Sequence, residues 1–269
     1  MEERTAGTEL AGIHFAPFDL PAATRHLLSL EGRGAALPWR LINTYNISLL
    51  RKHAGYAAIL RSPGVNLADG KPVSWALRLL SRRSGLPAPG HVRGPSLFER
   101  SLDEGQAHGV RHFLLGGTPE TLAALGAAIV RRFPDARVVG AESPPFRGLT
   151  DDERAAQDER IRNSGADIVW VGLGTPRQDA EAARLAAAVA RPTVAVGAAF
   201  DFLAGTRPEA PVWVRRLALE WLFRLVSEPQ RLWKRYTVGL ARFCLVVAPD
   251  LLERRPPRTA LGSASGTGH

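Results

Sequence analysis

The 269-residue chain has a single cysteine, Cys244, so no disulfide can form within it and a disulfide scaffold is excluded. It contains no Asp-x-Asp pair, its seven histidines are scattered, and no Cys/His cluster has metal-ligand spacing. A Gly-x-Ser-x-Gly nucleophile elbow and a P-loop are both missing. Long apolar runs are missing too: the longest candidate, residues 243–249, is far shorter than the roughly 20 residues that cross a bilayer. Met1-Glu2-Glu3-Arg4 lacks the basic stretch and apolar run of a secretory signal. The expectation is a soluble or peripheral protein of a reducing compartment whose chemistry, if any, is metal-free and non-covalent.

What is present is positive charge, unevenly spread. Lys and Arg number 35 against 26 Asp and Glu, a formal charge of +9. Residues 213–258 alone hold ten Lys/Arg and four Asp/Glu, so most of the excess is C-terminal. Such an excess suits nucleic acid, an anionic membrane or a phosphorylated ligand. The hydrophobic fraction, 45%, is that of an ordinary globular protein and argues against disorder.

Between the ends, short apolar runs alternate with helical patterns. Strands are expected at 40–44, 65–68, 110–115, 137–141, 167–172 and 193–196, and helices at 72–84, 96–108, 119–133, 151–164 and 176–190. Short, continuous, β-branched strands are how strands covered on both faces read. The alternation predicts an α/β fold: an open, mostly parallel, Rossmann-like sheet with helices on both faces, plus a basic C-terminal helical appendage. The expected division is an N-terminal extension over 1–38 with a short helix near 21–30, an α/β core over 39–212, the appendage over 213–250 and a disordered tail over 251–269. Ligand binding is expected beyond the C-terminal strand ends.

The unusual residues fall on those loops. Two strand-to-helix turns carry glycine, Leu115-Gly116-Gly117-Thr118-Pro119 and Gly172-Leu173-Gly174-Thr175-Pro176. Glycine lets backbone approach a ligand, Thr can cap the helix, and the helix N-terminus favours phosphate. Either turn alone is equally an ordinary tight turn; two in one sheet favour a nucleotide diphosphate. Arg177 stands where a dinucleotide fingerprint needs its third glycine, which speaks against a nucleotide-sugar epimerase or dehydrogenase. Gln178 and Asp179 open the second helix, where Gln178 reads as a ligand contact or a solvated residue. Asp69, in Ala68-Asp69-Gly70, is placed at a strand's end for general-base work or simply makes the turn. Thr44 and Asn46 close the first strand of the sheet with polar groups, for recognition or as turn chemistry. Asp201, between Phe200 and Phe202, binds ligand or holds its loop together. His91, His108 and His112 are expected at the surface or in loops.

In the appendage, Leu232, Tyr236, Leu240, Phe243 and Val247 form an amphipathic stripe edged by Arg231, Arg235 and Arg242. Trp221 and Trp233 add amphipathic rings. This suits an anionic bilayer surface, or a helix packed on the body, or both at once. Nucleic acid is disfavoured because the aromatics follow the apolar stripe and form no stacking platform. A non-enzymatic membrane adaptor remains an alternative.

Taken together, the segments 44–46, 68–70, 92–97, 115–117, 172–178, 200–205, 219–225 and 228–231, in that order and spacing, resemble the WecG/TagA/CpsF family of bacterial glycosyltransferases from about Arg40 to Phe243. The resemblance implies an inverting, metal-independent enzyme without a cofactor. It implies transfer of an N-acetylhexosamine, typically N-acetylmannosamine, from a UDP-sugar to a polyprenyl-diphosphate-linked sugar at the cytoplasmic face of the membrane. Another hexose or a uronic acid is the alternative donor. Asp69 falls on the family's proposed base, and Thr44 and Asn46 on its polar active-site segment. Gly116, Gly117, Gly174, Thr175, Gln178 and Asp201 fall on the donor side. Arg224, Arg231, Lys234 and Arg235 match the cationic positions expected to meet the acceptor diphosphate. Self-association into a homo-oligomer is left open. Glu209 in Glu209-Ala210-Pro211, Asp179 after Gln178, and the pair Ala198-Ala199 depart from the family's usual Arg, Glu and Gly-Gly.

Overall fold

The computed structural model describes residues 7–211, 213–214 and 219–253. Its centre is a six-stranded, all-parallel sheet in the order β4-β3-β8-β7-β5-β6. The strands are β3 (Pro38–Ile42), β4 (Val65–Ala68), β5 (Arg111–Gly116), β6 (Arg137–Glu142), β7 (Ile168–Gly172) and β8 (Thr193–Ala195). Each coincides with an expected strand to within two residues at either end. Burial on both faces explains why: alternate residues enter different cores. Leu114, Ile168, Trp170 and Val194 point into one, and Phe113, Leu115, Val169 and Val171 into the other.

The first core is covered by α1 (Leu20–Leu28), α6 (Gly94–Gly105), α7 (Pro119–Arg132) and α10 (Ala199–Ala204). Phe98 of α6 meets the Trp170 ring edge-on at 5.0 Å. The second is covered by α8 (Asp151–Asn163) and α9 (Arg177–Val189), through Ile161, Leu185 and Val189. A third apolar cluster packs α4 (Ala54–Arg61) and α5 (Lys71–Ser84) against the β4 side of the sheet.

The segment ahead of β3 is core material. Its hairpin, β1 (Thr8–Leu10) paired with β2 (Ile13–Phe15), buries Leu10, Ile13 and Phe15 in that third cluster. Helix α1 lies near the expected position, followed by the single turn α2 (Leu30–Gly34). The segment expected to close the first sheet strand with polar turn chemistry is a short helix, α3 (Thr44–Ser48), started by an Asn43–Asn46 capping box.

The C-terminal residues form α11 (Glu220–Ser227) and α12 (Pro229–Leu252). Leu232, Phe243 and Val247 are buried, the latter two in the third cluster, whereas Leu240 of the same expected stripe is exposed. Asp250 Oδ2 accepts the Ala11 amide at 2.5 Å, and Arg83 donates to the Leu251 carbonyl at 2.6 Å, which pins the end of α12. The helix runs two residues into the segment expected as tail; the rest of that expectation, 254–269, lies outside the described residues. Among the described residues no helix is long and apolar enough to cross a membrane.

Candidate active site

Strands β5 and β7 are neighbours whose onward connections diverge, one to β6 at the sheet edge and one to β8 towards the middle. A parallel sheet opens a crevice at such a point, beyond the carboxyl ends of its strands. A cavity of about 1080 Å³ lies there, walled by the turns after β3, β4, β5, β7 and β8 and by α11 and α12. Among the described residues, seven Lys/Arg and four Asp/Glu side chains line it, a cationic balance suited to an anionic ligand.

Two backbone features shape the floor. Gly116 has φ +124°, and a Cβ there would lie 2.6 Å from the Gly172 carbonyl oxygen, so the two strand ends touch with no room for a side chain. Gly174 has φ +76° and open space where a Cβ would stand, which leaves backbone accessible beside the start of α9. Thr118 caps α7 by accepting the Thr121 amide at 3.2 Å. Helix α9 has no side-chain cap; its Gln178 instead folds back on the turn, Oε1 accepting the Gly174 amide at 3.1 Å. The Gln178 amide group also lies beside Gly197, in the turn after β8.

On the other side stands Asp69, held at the end of β4 by its backbone N–H, which donates to the Ile42 carbonyl. Burial, reinforced by Glu220, pushes its carboxyl up to about 6, with Arg93, the Asn43 hydrogen bond and Arg224 opposing. Arg93 holds Glu220 through Nε at 2.9 Å and Glu209 through Nη2 at 2.9 Å, so the start of α6 is tied to the C-terminal segment by two groups whose charges Asp69 senses, Arg93 and Glu220. Burial and the nearby Lys71 and Arg93 charges bring His91 down to about 4, so it is neutral at physiological pH. Arg224 lies over the Phe202 ring, 5.1 Å from its centroid.

Above the β5 turn runs the segment 144–149, tied down by Ser143, which donates to the Gly117 carbonyl at 2.6 Å. Arg147 grips Glu153, which completes a capping box with Thr150 at the start of α8.

The sequence model of the glycosyl transferase WecG/TagA/CpsF family matches residues 8–257. The chain belongs to that family. It is therefore a glycosyltransferase of cell-surface polysaccharide synthesis, which binds a sugar donor and an acceptor.

The transferase cleft brings together Thr44, Asp69, Gly117, Gly174, Thr175, Gln178, Asp201 and Arg224 from the sequence-based candidates. Two others lie behind its wall. Gly116 makes the strand contact described above. Asn46 is fully buried, and its amide donates to Tyr56 Oη at 2.7 Å and to Asp179 Oδ2 at 3.2 Å. Asn46 thus holds α3 to α9 and does not line the cleft. The α9 cap also differs from expectation: Pro176 occupies the N-cap position, and Thr175 does not. Asp201 lines the cleft and closes its own loop, accepting the Thr206 amide on its carbonyl and approached by Arg207 Nε at 3.7 Å. The side chains of Arg231, Lys234 and Arg235 lie outside the described residues.

Sequence reasoning assigned no role to His91, Arg93, Glu220 or the 144–149 segment, all of which line the cavity. Arg93 had a readable signal: a cation immediately before a Gly-Pro helix start, the same position relative to a helix as the two glycine turns. His112, expected at the surface, is fully buried on β5, where its Nδ1 accepts Trp170 Nε1–H at 3.0 Å.

Proposed function

We propose that this transferase moves an N-acetylhexosamine, N-acetylmannosamine in the first instance, from a UDP-sugar to a polyprenyl-diphosphate-linked sugar, with inversion at the anomeric carbon. What carries the reading is one juxtaposition: two helix N-terminal turns on one wall of the cleft and an elevated carboxylate, Asp69, on the other. The donor diphosphate rests against the turns at Gly117 and Gly174–Thr175, where the positive end of each helix dipole meets it. Asp69 takes the proton from the acceptor hydroxyl as that oxygen bonds to the anomeric carbon. The bond from that carbon to the diphosphate oxygen breaks, and UDP leaves with the electron pair. Arg93 and Arg224 offset the charge that develops on the leaving group or on the acceptor's own diphosphate. Thr44, at the start of α3 beside Asp69, orients the sugar hydroxyls.

A single displacement of this kind inverts the configuration, so product stereochemistry tests the step. The decisive experiment incubates the enzyme with a panel of UDP-sugars and a lipid-diphosphate acceptor and reads product mass. A product one N-acetylhexosamine heavier than the acceptor is expected. Transfer of a hexose or uronic acid in its place sinks the donor assignment, and release of free sugar without acceptor dependence sinks the acceptor assignment. The basic C-terminal helices serve this reading as the part that meets the anionic membrane surface and the lipid diphosphate.

A further inference from the structure

Helix α5 belongs to the α/β core, yet it carries an outer face unlike an ordinary solvated surface. Trp75 is 59% exposed and Leu79 is 42% exposed, one turn apart. Arg78 and Arg82, also exposed, flank them at the same spacing. The buried face of the helix (Val73, Ala76, Leu77 and Leu80) is already spent on the third apolar cluster. The exposed pair is therefore a second apolar stripe, bordered by cations.

Its placement gives the stripe a direction. Lys71, the first residue of α5, lines the cleft, as do Thr237 and Leu240 of α12. At the far end Arg83 donates to the Leu251 carbonyl. The two helices thus run side by side away from the cleft mouth over the roughly 20 Å that 14 residues span. Leu245 of α12 is 62% exposed beside an exposed Arg242. Apolar residues with Trp among them, edged by Arg, on two neighbouring helices, match the chemistry of an anionic bilayer interface: rings and aliphatic chains enter the acyl boundary and guanidinium groups meet lipid phosphates.

We propose that the outer face of α5 is itself a membrane-contacting surface, one that docks the catalytic core onto anionic lipid with the cleft mouth at the bilayer. It deepens the membrane reading of the C-terminal helices but does not depend on the donor, the acceptor or turnover.

The test is co-sedimentation of the full-length protein with phosphatidylcholine vesicles that contain or lack phosphatidylglycerol. Removing two arginines near an anionic surface, Arg78→Ala with Arg82→Ala, is expected to weaken partition about 30-fold. Trp75→Ser with Leu79→Ser is expected to weaken it about tenfold or more. A matched control on α7, Val130→Ser with Arg131→Ala, alters an exposed apolar residue and its neighbouring cation away from this face and is expected to change nothing. The melting temperature by calorimetry should stay near the wild-type value in all three variants, which separates docking from damage to the fold. Wild-type partition by either α5 variant overturns the proposal, as does a wild-type protein that ignores anionic vesicles. Unchanged partition with loss of self-association by light scattering overturns it in favour of a second copy on this face.

Discussion

Asp69 has the properties a base needs at neutral pH: it is partly accessible in the cleft, and its carboxyl titrates near 6, ionised at pH 7 yet more basic than a surface aspartate. Activity should therefore fall as pH drops through about 6, in a limb visible in kcat/KM. Asp69→Asn should lower turnover by about 10²–10⁴-fold while leaving UDP affinity intact. Wild-type turnover by that variant, measured as transfer to a lipid-linked acceptor, would remove Asp69 from the mechanism. His112 is the contrasting case of a buried group with no place in the chemistry. Burial holds it near 4, and its Nε2 has no hydrogen-bond partner among the described residues. An unfolded chain with a histidine near 6.5 binds the proton that the folded state refuses, so this residue costs stability as pH falls from about 6.5 to about 4. His112→Phe should lack that dependence. Urea titrations should show the gap between variant and wild type moving by up to about 3 kcal/mol in the variant's favour across that window.

At the scale of elements, the cleft depends on ties between helices that are remote in sequence. The buried carboxyl of Asp179 accepts from Tyr56 of α4 at 2.7 Å and from Asn46 of α3, so the start of α9 is fixed against the end of β3. On the opposite wall, Arg93 joins α6 to Glu220 of α11. Glu220 also raises Asp69, so Glu220→Gln should shift the acidic limb of the rate profile below about 6 as well as loosen α11. A limb that stays in place would show that the two carboxylates do not sense each other. Elements of this kind also mark how far the sequence could be read. The six sheet strands and the five helices that alternate with them were legible because the strands are continuous β-branched runs and the helices start or stop at a glycine, proline or capping residue. The hairpin β1–β2, with three residues per strand, is too short to show alternation, and its apolar residues become core through contact with α4, α5 and β4. Helix α3 was hidden for a related reason. Thr44-Tyr45-Asn46 has a turn's composition, and the capping box that makes it helical uses Asn43 and Asn46, residues that also suit recognition. That double meaning is why Asn46 was read as a site residue. Thr44 and Asp69, which follow the ends of β3 and β4, line the cleft.

For the whole molecule, the basic C-terminal region is less separable than its charge suggests. It begins as a wall of the cleft, with Trp221, Arg224 and Leu225, and ends as part of the core, with Phe243 and Val247. Burying each large apolar side chain contributes about 1.5–3 kcal/mol. Losing Leu232, Phe243 and Val247 together therefore removes an amount comparable to the ~5–15 kcal/mol that stabilises a typical domain. Truncation before Trp213 should abolish transfer and also lower the melting temperature markedly or prevent folding, as read by calorimetry. A truncated protein that melts at the wild-type temperature would show the helices to be a detachable module.

The abutting backbones of Gly116 and Gly172 have a consequence for how such a transferase can diversify. Because no side chain fits between those two strand ends, this part of the frame beneath the cleft cannot be tuned by substitution. Discrimination between one sugar and another falls to the parts of the wall that tolerate change: the 144–149 segment with its outward-facing Phe146, and the Glu220–Leu225 stretch opposite. New specificities would arise by exchanging those rims over a fixed base.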